Sequence, residues 1–354
     1  MKYLALIVLI LTGCSSAKME KDFKASLDRP DEATPEVKVK APEQLLEKFE
    51  VEHISKPDVP TVDVEKQKAV ILPKPIIKKI NPLKNAKSQG AVEKLEPKKS
   101  LPKDYPEEFS KINAKAEAFW KNYKPNHFVN EKVYLDIHYL GMTVGKIMVT
   151  NRGKEMINGK EVWHLHARFK SAPFYRSIYE LDDTVDTYVS TDQFLSLRYS
   201  LIQRESKQDV DDLQLNDREQ MKTFWFYKQK TSEGKLRNKE KNGFIPYFSI
   251  DPFSVLFFYQ GLPMKTGDIY EIPLINKSKI LILKSVVEGR EKIDTEIGKN
   301  IKAIRVHATT KYTGETLKDG DLYFWFSDDN KRTLLKAQAK IKIGSVTADI
   351  VEKK

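Results

Sequence analysis

Residues 131–169 read EKVYLDIHYLGMTVGKIMVTNRGKEMINGKEVWHLHARF, and this stretch decides the fold. Val133, Leu135, Ile137 and Tyr139 alternate with Tyr134, Asp136 and His138. A period of two marks a strand that buries one face. Gly141 breaks the run, residues 144–150 resume it, and Asn158-Gly159 offers the left-handed backbone pair of a tight hairpin. Residues 162–169 then return. The pattern predicts consecutive antiparallel strands.

Outward from there the signal recurs. Strands are predicted at 178–189, 194–203 and 222–230, with a turn at Glu233-Gly234, and again at 269–274, 280–288, 302–311, 321–327, 335–343 and 345–351. Asp209, Asp211 and Asp212 read as a polar loop, without the glycine and terminal glutamate of a calcium loop. A helix is predicted over 106–123: Pro106, Glu107 and Glu108 suit its first turn, and Phe109, Ile112, Ala116 and Phe119 share a face. A second is predicted over 251–261, with Asp251 as N-cap, Pro252 in the first turn and Gly261 at the exit. It is apolar nearly all round, so it should be buried as a plug against the concave face of the sheet. The class expected is mainly β: an antiparallel curved sheet or barrel-like domain with one buried helix and an N-terminal helix.

The chain begins differently. Lys2, an apolar run over 3–11 and small residues before Cys14 follow the order of a secretory signal. Nine apolar residues are too few to span a bilayer, which takes ~20. No later stretch is apolar for long enough either. Leu11-Thr12-Gly13-Cys14 resembles the lipobox of bacterial lipoproteins. That resemblance implies lipid on Cys14, removal of residues 1–13 and, because Ser15 rather than aspartate follows, an outer-membrane anchor with the domain facing the periplasm. The alternative is an ordinary signal peptide with a chance cysteine. Cys14 is the single cysteine, so the mature chain should hold no disulfide, no thiol nucleophile and no cysteine metal site.

Residues 14–104 read as a tether. From 15 to 104 there are ten prolines but only two aromatics, Phe23 and Phe49. Such a segment buries too little apolar surface to offset its ordering entropy and reads as disordered. Residues 43–50 are expected to flicker as a helix without docking. Between Lys66 and Lys103, eleven lysines face only Glu93 and Glu96, an excess of nine positive charges in a chain of net +11. The basic balance therefore belongs to the tether, as a solvated spacer or as a polycation that touches an anionic envelope polymer. Nucleic acid fits poorly, because aromatics for base stacking are not interleaved. The folded domain is expected over 105–354.

Four stretches resemble the family called domain of unknown function 3108, exported proteins of Gram-negative bacteria. They are Tyr139-Leu140-Gly141-Met142-Thr143-Val144-Gly145; Tyr179-Glu180-Leu181-Asp182-Asp183; Asp251-Pro252-Phe253-Ser254 with Leu262-Pro263 and Gly267-Asp268; and Trp325-Phe326-Ser327-Asp328-Asp329 with Lys342-Ile343-Gly344-Ser345-Val346. The resemblance spans about 128–350 and departs at Thr333, where the family places proline. It implies compartment and class but no reaction.

Several groups are candidates for chemistry. His164 and His166 share a strand face, and His138 on a neighbouring strand would complete a three-histidine metal site. A half-exposed polar sheet face explains them equally. Glu180, Asp182 and Asp186, beside Asp183, form a row suited to calcium or to acid–base work, or to a solvated strand face. No phosphate loop, dinucleotide fingerprint or nucleophile elbow appears. Phe253, Phe257, Phe258, Trp225 and Trp325 are core residues or, alternatively, the lining of a lipid pocket. The leading expectation is a lipid-anchored, non-catalytic module that binds an envelope lipid, glycan or protein and uses no cofactor. The alternatives are a structural tether between outer membrane and cell wall, and a hydrolase built on His164/His166 or Asp182/Asp183.

Overall fold

The computed structural model describes residues 38–54, 101–124, 128–312, 315–316, 321–341 and 343–354. The signal peptide, Cys14 and nearly all of the lysine-rich stretch lie outside the described residues. Residues 38–54 and 104–354 belong to one compact unit.

The strands are β1 (Val51–Glu52), β2 (Lys132–Tyr139), β3 (Met142–Ile157), β4 (Lys160–Ser171), β5 (Asp182–Ser190), β6 (Ser196–Glu205), β7 (Gln208–Asp217), β8 (Lys222–Thr231) and β9 (Leu236–Phe244). They continue as β10 (Ile269–Asn276), β11 (Lys279–Thr295), β12 (Gly298–Tyr312), β13 (Glu315–Thr316), β14 (Leu322–Ser327), β15 (Leu334–Lys340) and β16 (Ser345–Lys353). Three helices accompany them among the described residues: α1 (Glu43–Lys48), α2 (Glu107–Trp120) and α3 (Val255–Gly261).

All strands join one sheet, ordered β10-β11-β12-β14-β15-β16-β2-β3-β4-β5-β6-β7-β8-β9, with β1 on β3 and β13 on β12 off that path. Two meanders thus fuse where β16 pairs antiparallel with β2. The sheet curls until its β10 end reaches β7 and the segment that follows β9. Ile250, after β9, bridges to Leu274 on β10. The Gln214 amide donates to the Ile275 carbonyl and accepts from the Lys277 N–H, and Lys277 Nζ lies 2.8 Å from Asp212. Closure therefore rests on side chains and one connecting segment rather than on a strand ladder.

The inner face carries the main core. Phe258 on α3 stacks on Tyr123 at 4.7 Å between ring centres and packs against Trp120 at 4.4 Å and Phe194 at 5.7 Å. Gly261 permits this contact: a Cβ there would fall 2.3 Å from the Tyr123 ring and 2.7 Å from the Lys124 carbonyl. The N-terminal end of α3 is tied down by Asp251, whose carboxylate accepts the N–H groups of Phe253 and Ser254 and the Thr187 hydroxyl. The expected plug is real but shorter than 251–261, because residues 252–254 form a turn ahead of the helix.

Two expectations are corrected. The aspartates at 209, 211 and 212 lie in β7, not in a loop. Their charge is matched across strands: Asp211 pairs with Arg204 at 2.8 Å, and Asp212 accepts the Trp225 indole N–H and faces Lys277. Segment 43–50 docks. Phe49 is buried at 4% exposure among Ile157, Val162, Tyr188, Leu213, Leu215 and Phe226 on the outer face. Lys48 pairs with Asp217 at 2.8 Å, the Phe49 carbonyl accepts Arg198 at 2.8 Å, and Val51 pairs with Ile157. Sparse aromatic content hid this: one phenylalanine anchors the whole strap.

Phe258→Ala should lower global stability by ~3–5 kcal/mol, read by denaturant unfolding, because the surrounding rings cannot collapse into the space. Phe49→Ala should leave the sheet intact while residues 38–54 become open to limited proteolysis; equal resistance in variant and wild type would contradict the docking.

Candidate functional site

The outer face of β3, β4 and β5 holds a cluster of buried titratable side chains. His164 and His166 stand two apart on β4, and the register places Asp186 of β5 directly opposite His166. Asp186 Oδ1 takes hydrogen bonds from His164 Nε2 at 2.6 Å and His166 Nδ1 at 2.8 Å. The three side chains are 4%, 2% and 1% exposed, so the contact is made away from water. Tyr188 stacks on His164 at 4.5 Å and walls one side.

A bulge in β3 aims a cation at this carboxylate. The pairing with β4 slips between Asn151 and Gly153, which leaves Arg152 as the extra residue. Gly153 adopts φ +110°, and its N–H is caught by the Asn151 side chain. Bulges re-aim side chains in this way, and Arg152 Nη1 comes to 3.7 Å from Asp186 Oδ1. Glu155 Oε1, on the same face, lies 4.0 Å from His164 Nδ1. The covering segment holds Glu155 through His53 Nδ1 at 3.1 Å and the Ile54 N–H at 3.3 Å.

Burial alone would oppose ionisation of Asp186, but the hydrogen bonds from His164 and His166 outweigh it and hold the carboxyl well below the usual carboxylate range. Burial pushes His166 down despite the neighbouring carboxylate, which favours a neutral imidazole that donates Nδ1–H. Among the described residues, these three form the group spaced to hold a metal ion, with one donor atom from each within 4.8 Å of the others.

The other candidates do not converge. His138 on β2 is separated from β4 by the whole of β3 and contacts the Thr143 hydroxyl, so it does not join His164 and His166. Asp186 takes the third place instead. The acidic row is split. Glu180 faces Arg176 at 3.7 Å, and Asp182 pairs with Arg168 and Lys170 at 2.8 and 3.1 Å. Asp183 points to the opposite face, where it accepts Gln203 Nε2 and the Arg204 N–H. The aromatic candidates are likewise divided. Phe258 is wholly within the core, Phe257 and Phe253 touch each other at 5.7 Å, and Trp225 donates to Asp212. Trp325 lies on the outer face under Arg305 and Lys336. Beneath α3, between Leu256, Phe257 and Gln260 and the strands bearing Val133 and Val149, there is a cavity of about 30 Å³. That holds a water or two and is about a tenth of a small ligand pocket.

Fold and site together define an exposed-edge, antiparallel β-sheet protein closed into a barrel-like body, with a buried His–Asp–His group on its outer face. The chain belongs to the family described as Protein of unknown function (DUF3108), which matches residues 135–351. No curated protein matches it. Among solved structures, a β-barrel-like protein of the DUF1849 family from Brucella abortus aligns over 64% of this chain and 98% of its own, at 12% identity and TM-score 0.41. An exported-type protein with a YmcC-like fold from Bacteroides fragilis aligns over 66% and 98%, at 9% identity and TM-score 0.30. A lipoprotein-type chain from Parabacteroides distasonis aligns over 66% and 99%, at 10% identity and TM-score 0.27. Likenesses this distant transfer no residue's role.

Asp183 yields a pH test. Burial, and then the charge of Glu205, push its carboxyl up to about 7. The folded value lies above the ordinary one, so the folded state binds the proton more tightly between about pH 4 and 7, and stability drops as pH rises through that window. Asp183→Asn should gain up to ~4 kcal/mol over wild type between pH 4 and 8. Parallel stability–pH curves for the two proteins would refute the assignment.

Proposed function

We propose that this is an exported protein held at the membrane by lipid on Cys14, whose β-domain is a non-catalytic module for an envelope component. The observation that carries the reading is Leu11-Thr12-Gly13-Cys14 behind Lys2 and the apolar run of residues 3–11. Two or more acyl chains hold a protein firmly, at ~0.8 kcal/mol for each buried methylene. Among the described residues no helix is long and apolar enough to cross a membrane.

The interior argues about the ligand. The cavity under α3 is far too small for an acyl chain, which turns the reading from an enclosed lipid toward a glycan or protein met on the surface. The lysines of 66–103 supply a complementary contact for an anionic polymer, and that contact should weaken with salt. An outer-membrane anchor follows from Ser15 after the cysteine.

Cells given an alkyne fatty acid should label the wild-type protein and not Cys14→Ser, and the variant should leave the membrane fraction. Label retained by Cys14→Ser, or wild-type protein found in the cytosol with residues 1–13 intact, would refute the reading.

A further inference from the structure

We propose that His164, His166 and Asp186 form a binding site for a divalent transition-metal ion of the zinc class. The inference goes beyond an anchored binding module and does not depend on it.

Three features support the assignment. The donor set comes first. Two imidazoles and one carboxylate suit zinc and its neighbours among the divalent metals. Histidines at i and i+2 of a strand, with a carboxylate on the adjacent strand, point at one spot because alternate residues share a face. The scaffold is rigid: β4 and β5 pair without a register break from Val162 to Lys170.

The second feature is a deficit of partners. Both imidazoles converge on Oδ1 of Asp186, while its Oδ2 is buried and has no hydrogen-bond partner. A buried carboxylate oxygen without a partner is costly, and a metal ion bridging this group would satisfy it. The donor atoms already lie within 4.8 Å of one another. Metal–ligand bonds of ~2.0–2.2 Å set tetrahedral donors roughly 3.3 Å apart, so the ion replaces the two His–Asp hydrogen bonds of 2.6 and 2.8 Å and the donors separate to admit it.

The third feature lies behind the histidine. A metal-bound imidazole carries its proton on the other ring nitrogen and gives it to a carboxylate or carbonyl. With Nε2 of His164 on the metal, that proton sits on Nδ1, and Glu155 Oε1 is 4.0 Å away. Glu155 is in turn positioned by His53 and the Ile54 N–H. At 4.0 Å no hydrogen bond is made; in the proposed site Glu155 has a positioning role that is completed as the His164 ring turns onto the ion, and the strap and the site share it.

Arg152 is the competitor. It supplies positive charge to Asp186 from 3.7 Å, and its side chain is 34% exposed. The ion takes over that charge, and Arg152 withdraws into water.

The test uses the full chain without a histidine tag, stripped with a chelator and titrated with Zn²⁺ against a chromophoric competitor. Wild type should bind one equivalent, and Co²⁺ in its place should give the visible absorption of a low-coordinate site. Asp186→Asn, which keeps the shape, should weaken binding by at least about 100-fold, and Glu155→Gln by about 10-fold or more. His138→Ala should bind as wild type does. Circular dichroism checks that each variant is folded; should Asp186→Asn fail that check, Glu155→Gln at the partly exposed position decides. Wild type without bound zinc, zinc held equally well by both carboxylate variants, or loss confined to His138→Ala would each overturn the proposal.

Discussion

A sheet of this length has two faces to cover and two ends to satisfy, and that requirement organises the rest of the molecule. On the inner face α2 and α3 supply the Trp120–Tyr123–Phe258 stack. The outer face takes the strap 38–54, pinned by Phe49. At one end β10 is met by Ile250 and the Gln214 amide. At the other, β9 carries Arg237, Lys239, Glu240 and Lys241 in an exposed row. Charged residues on an edge strand discourage pairing with another chain, so this end is protected by composition where the other is protected by contact. Arg218 shows how strictly the closing segment is held. Its buried guanidinium donates to the carbonyls of Ser196, Tyr247 and Ser249, and burial pulls its value down to about 10.

What the sequence revealed follows the physics of alternation. Strands that bury one face announce themselves by period two, and β2, β3, β4 and β16 stand close to their expected positions. Two strands, β7 and β9, do not. In β7 the aspartates are polar in composition yet buried in fact, since Arg204, Lys277 and Trp225 reach them from other strands. No local reading sees those partners. In β9 almost every residue is exposed, and only the ladder with β8 makes it a strand. The strap escaped notice for a third reason: it carries a single aromatic, and the surface awaiting Phe49 belongs to residues more than a hundred positions away.

The site was half legible. Parity alone puts His164 and His166 on one face, and it likewise puts Asp186 with Tyr188. Joining the two pairs takes the β4–β5 register, which sets His166 against Asp186. A one-residue slip would send Asp186 to the inner face, where Thr187 now points. The same parity separates Asp182 from Asp183 and so breaks the proposed acid–base pair. Arg152 could not be anticipated, because it reaches Asp186 through a bulge that only the pairing reveals.

The docked strap changes what the lysine-rich stretch can do. A chain that left Cys14 and ran freely to residue 104 would hold the β-domain at the end of one long leash. Instead the domain is gripped at 38–54 and again from 104 onward. Residues 55–103 therefore begin and end, along the chain, at the same folded body. The stretch from Cys14 to Lys38 is 24 residues long, at most ~80 Å at full extension. The nine excess positive charges of 66–103 thus fall, in sequence, between two stretches of that body rather than ahead of it. Under the proposed reading, anchoring and polymer contact are thus assigned to separate stretches of sequence, and the strap, docked through Phe49 and Glu155, lies between them.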